Sequence, residues 1–319
     1  MITSSTGERG ATNPTDRQYN SNQGNLSYPT ARAVSVKIGI VAKPHSTEFA
    51  ATLNEVVQWL RSRDCETIVE ESIVQASPLD DVLTAPREKI PELVDVIVVF
   101  GGDGTMLSVA RYIQGRNTQI LGVNVGSLGF LTETTLDELY PVLERLLAGR
   151  HTTDRRSMLK IEVHHTNGTV ETYHALNDIV INKGALARVI SMDAFVNEDF
   201  IANFLADGMI ISTPTGSTAY SLSAGGPILY PTLDSMVMTP ICSHTLTNRP
   251  LVIPAKSSIR VVVKSGEDVM LTVDGQVGVA LSEGEEIRCT QSEYQIDLIQ
   301  QGDKSFFDVL REKFKWGER

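Results

Sequence analysis

Long apolar runs are missing from this 319-residue sequence: no stretch approaches the roughly 20 apolar residues that a membrane-spanning helix needs. Cysteine is also scarce, and Cys65, Cys242 and Cys289 are far apart and in no metal-ligand spacing. We therefore expect no membrane span, no disulfide framework and no metal site of the protein's own. We interpret the cysteines as reduced thiols of a cytoplasmic protein.

Positive charge is in short supply as well. The chain has 28 Lys and Arg residues against 39 Asp and Glu residues, which gives a formal net charge of −11. Because nucleic acids and anionic membranes attract basic surfaces, we expect neither as a partner. A small anionic ligand stays compatible with this charge, since its binding depends on local hydrogen-bond donors.

Large apolar residues are rare in the first 34 residues, which are rich in Ser, Thr, Asn, Gln and Gly. This segment lacks the apolar middle of a secretory signal. We predict a disordered tail over residues 1–34. The alternative interpretation is a plastid-type leader, which has a similar hydroxyl-rich composition.

What is present first is an alternation of strands and helices. Apolar, β-branched segments at 36–41, 95–100 and 119–124 predict buried strands, and apolar residues at 3.6-residue spacing predict helices between and after them. This alternation predicts an α/β domain with a parallel sheet over residues 35–150.

The pattern changes after residue 150. Alternating segments recur, and Asn167-Gly168 is a strong signal for a hairpin turn. The sequence predicts a β-rich second domain over residues 151–300. Apolar residues over 301–319 predict a last helix that packs back on the first domain.

The most informative motif is Gly101-Gly102-Asp103-Gly104-Thr105, which follows the strand at 95–100 directly. Ligands of α/β sheets bind outside the carboxyl ends of strands, and a glycine turn before a helix exposes backbone N–H groups to phosphate. We predict the helix from Thr105 onward. The motif is neither a phosphate loop with Gly-Lys-Ser/Thr nor a full dinucleotide fingerprint. Alone, it is more typical of a tight turn in which Asp103 caps a helix.

A second motif, over residues 207–227, is dense in hydroxyls and glycines. Its neutral donors are Thr213, Thr215, Ser217, Thr218, Ser221 and Ser223. Such a segment can bind phosphates or ribose oxygens without cations, and Tyr220 offers a ring for a base to stack on. The alternative is a solvated linker, which the apolar residues at both ends of the segment disfavour.

Two shorter motifs carry carboxylates. Asn177-Asp178 enters an apolar strand, and an amide beside a carboxylate can bind the two hydroxyls of a ribose. Asp274-Gly275-Gln276 is a further acid-glycine turn. Each of them alone is more typical of an ordinary turn.

Together the four motifs resemble the NAD kinase family over residues 36–315. The Gly-Gly-Asp-Gly turn is shared with diacylglycerol and sphingosine kinases and with 6-phosphofructokinases. The hydroxyl-rich segment, with Asn177-Asp178 upstream and Asp274-Gly275-Gln276 downstream, is much more specific to NAD kinases.

The resemblance implies transfer of the terminal phosphoryl group of ATP, or of polyphosphate, to the 2′-hydroxyl of the adenosine ribose of NAD. Asp103 would accept the hydroxyl proton, and Asn177 with Asp178 would bind ribose; many family members carry Glu at position 178. The other residues that it places near the dinucleotide are Gly104, Arg188, Leu205, Asp207, Thr218, Ala219, Tyr220, Ser221, Leu222, Ser223, Asp274 and Gln276. It also implies Mg²⁺ or another divalent cation, and a homodimer or homotetramer.

Three other functions share some of these sequence features. A lipid or sphingoid kinase would share the glycine turn but should show a basic or apolar membrane-facing surface, which this acidic chain lacks. A dinucleotide-sensing module would keep the pocket but give Asp103 no role. A serine hydrolase is disfavoured because no Gly-x-Ser-x-Gly elbow occurs around 217–223.

Overall fold

The computed structural model describes residues 36–43, 50–77, 79, 81–126, 128–184, 189–245, 247–302 and 304–317. The predicted tail or leader over 1–34 lies outside the described residues, as does Arg188. Residues 35–319 form one unit of contacts.

The first half of the chain alternates strands and helices, as predicted. Its elements are β1 (Lys37–Ala42), α1 (Ala50–Arg61), β2 (Glu66–Glu70), α2 (Glu71–Ala76), β3 (Leu83–Ala85), α3 (Ile90–Leu93), β4 (Val96–Gly101), α4 (Asp103–Ala110), β5 (Gln119–Asn124) and α5 (Leu136–Leu147). The strands pair in parallel in the order β5-β4-β1-β2-β3. The α/β class predicted for this half is confirmed.

Strand β4 is buried on both faces, which explains its uninterrupted apolar sequence. Val98 and Phe100 pack in a core with residues of α1 and α5. Ile97 and Val99 pack on the other face with residues of α3 and α4. The carboxyl end of β4 is thereby fixed between two cores. Gly101 is its last residue, and α4 begins two residues later, at Asp103.

The second half is β-rich, as predicted. Its elements are β6 (Thr152–His164), β7 (Val170–Ala175), β8 (Asp178–Asn182), β9 (Ile190–Val196), β10 (Asp199–Ala206), β11 (Gly208–Ser212), a 3₁₀ turn (Gly216–Thr218), α6 (Tyr220–Ser223), β12 (Ser235–Ile241), β13 (Leu251–Pro254), β14 (Ile259–Ser265), β15 (Val269–Val273), β16 (Val277–Leu281), β17 (Glu286–Gln300) and α7 (Phe306–Phe314). The hairpin predicted at Asn167-Gly168 joins β6 to β7.

Two sheets organise this half. One is antiparallel in the order β13-β12-β11-β8-β15-β16. The other, β10-β9-β14-β17, continues into the parallel sheet of the first half where Leu298 of β17 pairs with Ile120 of β5. A hydrophobic core that includes Ile181, Ile211 and Val261 joins residues of both sheets. The limits predicted at residues 150 and 300 stay a prediction.

Local differences from the sequence-based expectation lie near the motifs. Helix α4 begins at Asp103 rather than at the predicted Thr105, so the aspartate occupies the first helical position. The chain bends at Leu176 and Asn177 between β7 and β8, which belong to different sheets. The bend is where the Asn-Asp motif lies.

Helix α7 begins with a capping box in which Ser305 and Asp308 bond reciprocally. The ring of Phe314 lies 5.9 Å from that of Phe130, and the ring of Phe306 lies 5.4 Å from that of Tyr230. The last helix therefore contacts the loop after β5 as well as the segment after α6.

Candidate functional site

Asp103 lies at the carboxyl end of β4, half-buried, as the first residue of α4. Its Oδ2 accepts the backbone N–H of Phe130 at 2.9 Å, and its Oδ1 accepts that of Leu131 at 3.0 Å. These two hydrogen bonds fix the carboxylate between α4 and the loop after β5, so its orientation is set before any ligand arrives.

Gly129 is what allows this loop to approach so closely. A Cβ at position 129 would lie 2.1 Å from Asp103 Oδ1 and 2.3 Å from Thr132 Oγ1. Any side chain there would displace the carboxylate, so the glycine in Gly129-Phe130-Leu131 is part of the Asp103 site.

A cavity of about 430 Å³ lies beside the first turn of α4. It is lined by Lys43, Arg87, Gly102, Gly104, Thr105 and Ser108. No atom of the described residues lies within 4 Å of the position that a Cβ would take at Gly102 or Gly104, so the turn is open with respect to them. The positive end of the helix dipole and the two cationic side chains make this cavity suited to an anion.

Gln276 connects this turn to the second half of the chain. Its Nε2 donates to the carbonyl oxygen of Gly104 at 2.7 Å. It also lines a second cavity, of about 260 Å³, together with Arg111, Tyr173 and Asp274. Gly104, Gln276 and Asp274, all predicted as site residues, are thus brought together.

The carboxylate of Asp274 anchors the bend that carries the Asn-Asp motif. It accepts the backbone N–H groups of Leu176, Asn177 and Asp178 at 2.8, 2.8 and 3.1 Å. Burial raises the pKa of Asp274 to about 6, against the opposing effect of these N–H donors and of the Arg111 charge. Asp274 therefore fixes the backbone of the bend that carries Asn177 and Asp178.

Asn177 and Asp178 are both buried. The Oδ1 atom of Asn177 has no hydrogen-bond partner among the described residues, although it is inaccessible to solvent. Burial, followed by the nearby Asp274 carboxylate, raises the pKa of Asp178 to about 7. The Asn177 amide oxygen is thus unpaired, and burial destabilises the charged form of the neighbouring Asp178 carboxyl. Hydroxyl groups of a ligand could donate hydrogen bonds to both.

Most hydroxyls of the hydroxyl-rich segment form hydrogen bonds within the protein, to the segment itself and to neighbouring residues. Thr213 Oγ1 donates to Leu176 O at 2.6 Å, and Ser217 Oγ donates to Pro214 O at 2.6 Å and accepts from the Leu229 N–H at 2.9 Å. Thr213 and Ser217 are buried, so the expectation that these two hydroxyls face a ligand is not met. Their density in the sequence reflects the folding of the loop.

The predicted residues of α6 and its flanks are positioned by the same loop. Ser221 is buried, with its hydroxyl 2.9 Å from that of Thr239, whereas the ring of Tyr220 is 45% exposed and available for stacking. Thr218, Ala219 and Leu222 are half-buried, and Ser223 is exposed.

Leu205 and Asp207 lie away from the Asn-Asp motif. Strands β8 and β11 pair with Gly208 opposite Asn182 and Ser212 opposite Asp178. Asp207 is therefore at the other end of this strand pair from Asp178, about 17 Å away along the strands at the usual rise per residue. The structure does not bring these two predicted residues together with Asp178, and Asp207 instead lies 3.9 Å from the Lys183 ammonium.

A charged cluster beside the site was not predicted from the sequence. Arg156 is buried, forms an ion pair with Asp154 at 2.6 Å, and donates to Thr215 Oγ1 at 3.3 Å. Burial raises the pKa of nearby Glu133, and the Arg156 charge opposes this rise. In sequence these residues are isolated charges on a strand and a loop, and no spacing signals that they meet.

Comparison with known proteins gives consistent results. The family model of the ATP-NAD kinase N-terminal domain matches residues 38–151, and that of the ATP-NAD kinase C-terminal domain matches residues 176–301. The NAD kinase of Geotalea daltonii is 50% identical over 284 residues, which cover 89% of this chain and 99% of that protein. The NAD kinase of Trichlorobacter lovleyi is also 50% identical, over 287 residues and with the same coverage of 89% and 99%.

Solved structures show the same fold. Yeast NADH kinase, in complex with NADH, superposes with a TM-score of 0.81 at 28% identity, over 89% of each chain. An NAD kinase from Archaeoglobus fulgidus, in complex with ATP, has a TM-score of 0.69 over 88% of this chain and 100% of its own. At 23% identity, the second likeness is one of fold alone. Across the described residues, no helix is long and apolar enough to cross a membrane.

Proposed function

The chain belongs to the NAD kinase family and is a phosphotransferase, and we propose that it transfers the terminal phosphoryl group of ATP to the 2′-hydroxyl of the adenosine ribose of NAD. The observation that carries the proposal is the fixed carboxylate of Asp103. On one side, the turn that carries Asp103 lines the cavity suited to an anion. On the other side, the hydrogen bond from Gln276 to Gly104 connects this turn to the bend at Asn177 and Asp178, which Asp274 anchors.

Asp103 acts as the proton acceptor. As the ribose oxygen attacks the γ-phosphorus, the new oxygen–phosphorus bond forms, the bond to the leaving ADP breaks, and the hydroxyl proton passes to a carboxylate oxygen. Among the described residues, Asp103 Oδ2 accepts one hydrogen bond, from the Phe130 N–H, and keeps a lone pair for the proton, whereas Oδ1 accepts from both the Leu131 N–H and the Thr132 hydroxyl. Because the transition state of phosphoryl transfer is loose, most of the catalysis comes from alignment and from neutralisation of charge.

Asn177 and Asp178 bind ribose hydroxyls. Asn177 Oδ1 is buried without a partner among the described residues, so a ribose hydroxyl that donates to it removes a desolvation cost. Asp178, whose pKa burial raises to about 7, gains a donor for its charged form in the same way. Aspartate has the chemistry of the glutamate that many relatives carry there and is one methylene shorter.

A divalent cation, Mg²⁺ by preference, would enter with the donor. Within the described parts of the chain, no group of three or more His, Cys, Asp or Glu side chains is arranged to hold a metal ion. The single carboxylate of Asp103 beside an anion cavity fits an ion held mainly by the donor's phosphates, the usual mode for Mg²⁺. Such an ion would neutralise charge on the β- and γ-phosphates.

Contacts of the dinucleotide with Leu205, Asp207, Thr218, Ala219, Tyr220, Leu222 and Ser223 stay predictions from the resemblance.

We also propose that the protein is cytoplasmic and forms a homodimer or homotetramer. Light scattering of the purified chain would test the oligomeric state. Polyphosphate as donor and NADH as acceptor are the two variations to include, since one solved relative is a yeast NADH kinase.

The deciding experiment measures NADP formation from NAD and ATP·Mg²⁺ by wild type and by Asp103→Asn. We expect NADP from wild type, and a loss of turnover in the variant of about 10²–10⁴-fold with the dissociation constant for NAD nearly unchanged. Unchanged turnover would remove Asp103 from this role. If excess Mg²⁺ or Mn²⁺ restored activity to the variant, Asp103 would be a metal ligand instead of a base.

A further inference from the structure

Arg87 lines the cavity beside α4 and, with Lys43, is one of the two cationic side chains that the described residues contribute to it. It reaches the cavity from the segment between β3 and α3, and its position is set by three other elements. Its Nε donates to Glu70 Oε1 at 3.1 Å, and its Nη2 donates to Glu70 Oε2 at 2.9 Å and to Ala42 O at 3.0 Å. Glu70 and Ala42 are the last residues of β2 and β1.

The fourth hydrogen bond aims the guanidinium at α4. Nη1 donates to Ser108 Oγ at 2.6 Å, and Ser108 in turn donates to Thr105 O at 2.6 Å. A guanidinium has five N–H groups, so these four bonds leave one N–H of Nη1 without a partner among the described residues. That N–H belongs to the nitrogen that lies against Ser108, which itself lines the cavity.

The arrangement resembles a preorganised anion-binding group. Arg87 and Glu70 are both largely buried, with side chains 16% and 7% exposed. A buried ion pair is in general weak evidence for stability, because desolvation offsets much of the attraction. What this pair does achieve is a guanidinium that needs no reorganisation when a phosphate arrives, and electrostatic catalysis depends on such fixed donors.

We propose that Arg87, which lines the cavity where the proposed kinase function puts the donor phosphates, is a catalytic residue that donates from Nη1 to a donor phosphate oxygen. The proposal rests on the kinase function proposed above. Gly102 and Gly104 bring open backbone to the same cavity, so the phosphates lie between the helix terminus and the guanidinium. Glu70 is a positioning residue that holds Arg87 in this orientation.

The competing explanation is that Arg87 has only a structural role, in which its hydrogen bonds link β2 to α4. A single substitution of Arg87 would leave Glu70 buried and unpaired, and could fail to fold for that reason alone. The test therefore uses the double variant Glu70→Gln/Arg87→Gln, in which two neutral amides replace the ion pair. The single variant Glu70→Gln keeps the guanidinium and removes only its neutralising partner.

The matched control is Glu92→Gln/Arg116→Gln. Arg116 also forms an ion pair, with Nη2 2.7 Å from Glu92 Oε1, and is not among the residues that line the cavity. For each variant we would measure the KM for ATP, the KM for NAD, the melting temperature, and the inhibition constant of inorganic tripolyphosphate against ATP.

In Glu70→Gln/Arg87→Gln, we expect the KM for ATP and the inhibition constant of tripolyphosphate to rise about 10- to 100-fold, the loss typical of a charge-assisted hydrogen bond. The KM for NAD should change less than about twofold, and the control should keep wild-type affinity for ATP. Glu70→Gln loses part of what orients the guanidinium, so its KM for ATP should rise by a smaller factor than that of the double variant. Tripolyphosphate should compete with ATP and not with NAD.

An unchanged KM for ATP in a folded double variant, or an equal rise in the KM for NAD, would overturn the assignment of Arg87. A lower melting temperature with both KM values intact would show that Arg87 has only the structural role. These results are separable from failure of the kinase proposal, which depends on NADP formation and on Asp103→Asn. The Asp103 variant should keep wild-type affinity for tripolyphosphate.

Discussion

Two acid-glycine turns in this chain have nearly the same sequence and different physical roles. Asp103-Gly104 and Asp274-Gly275 each follow a buried apolar strand, β4 and β15. Asp103 begins a helix, is half-buried and borders an open cavity through its neighbours. Asp274 lies in a hairpin turn with a φ of 49° and gives both carboxylate oxygens to backbone N–H groups of the bend before β8.

The difference follows from the sheet in which each strand lies. Strand β4 is parallel to its neighbours, so its carboxyl end opens into a crevice and the chain must leave through a crossover helix. Strand β15 is antiparallel to β16 and turns back after a few residues, so the carboxylate in its turn meets neighbouring backbone. The same dipeptide therefore supplies the proposed proton acceptor in one sheet and an anchor for neighbouring backbone in the other.

The largest expected contrast between the turns is in stability. In Asp274→Ala, three buried N–H groups lose their acceptor, and at about 1–3 kcal/mol for each unsatisfied group we expect a loss of about 3–5 kcal/mol in the free energy of unfolding. Urea denaturation measures this loss. Asp103→Ala should cost about 1–2 kcal/mol by the same measure, since only two N–H groups are involved and the site is half-open. Equal losses for the two variants would contradict the division of roles.

Much of this site could be predicted from the sequence. The apolar run of β4 and the glycines after it locate Asp103 at a sheet edge, and the helix behind it follows from spacing. The hairpin at Asn167-Gly168 and the strands of both halves are local signals too. These features depend on residues close to one another in the chain, which is why pattern reading finds them.

What the sequence does not show is which distant residues meet. Arg87 bonds to Glu70, 17 residues away, and to Ala42, 45 residues away, and neither pairing has a periodicity. The hydroxyl-rich segment illustrates a second limit. Its donors were predicted to face a ligand, but Thr213 and Ser217 hold the loop against its neighbours, because buried hydroxyls must find partners somewhere.

The next expected effect concerns Asp178, which the Asp274 anchor holds in its buried position. The pKa of Asp178 is about 7 in the folded protein against 3.8 as the reference, so the folded state binds its proton more tightly than the unfolded state. The carboxyl therefore subtracts from stability increasingly as pH rises from about 4 to 7, and fully above that.

Asp178→Asn should accordingly raise the free energy of unfolding at pH 8 by about 2–4 kcal/mol, with a smaller gain at pH 5. Urea denaturation at the two pH values tests this, with the exposed Asp199→Asn as the control that should show little change. NAD affinity should fall in Asp178→Asn, since the ribose loses a charged acceptor. A gain that is the same at both pH values would contradict the assigned titration.

The smallest effect tests how tightly the geometry of the Asp103 turn is set. In Gly129→Ala, the new methyl would lie 2.1 Å from Asp103 Oδ1, so the carboxylate or the loop must move. Because misplacement by about 1 Å can cost about 100-fold in rate, we expect kcat to fall by about 10- to 100-fold with a small change in stability. Gly126→Ala is the matched control in the same loop, since no atom of the part of the chain that the structure describes lies within 4 Å of its Cβ position. If both variants kept wild-type kcat, the Asp103 carboxylate would tolerate displacement. Its orientation by the Phe130 and Leu131 N–H groups would then not explain why Asp103 differs from Asp274.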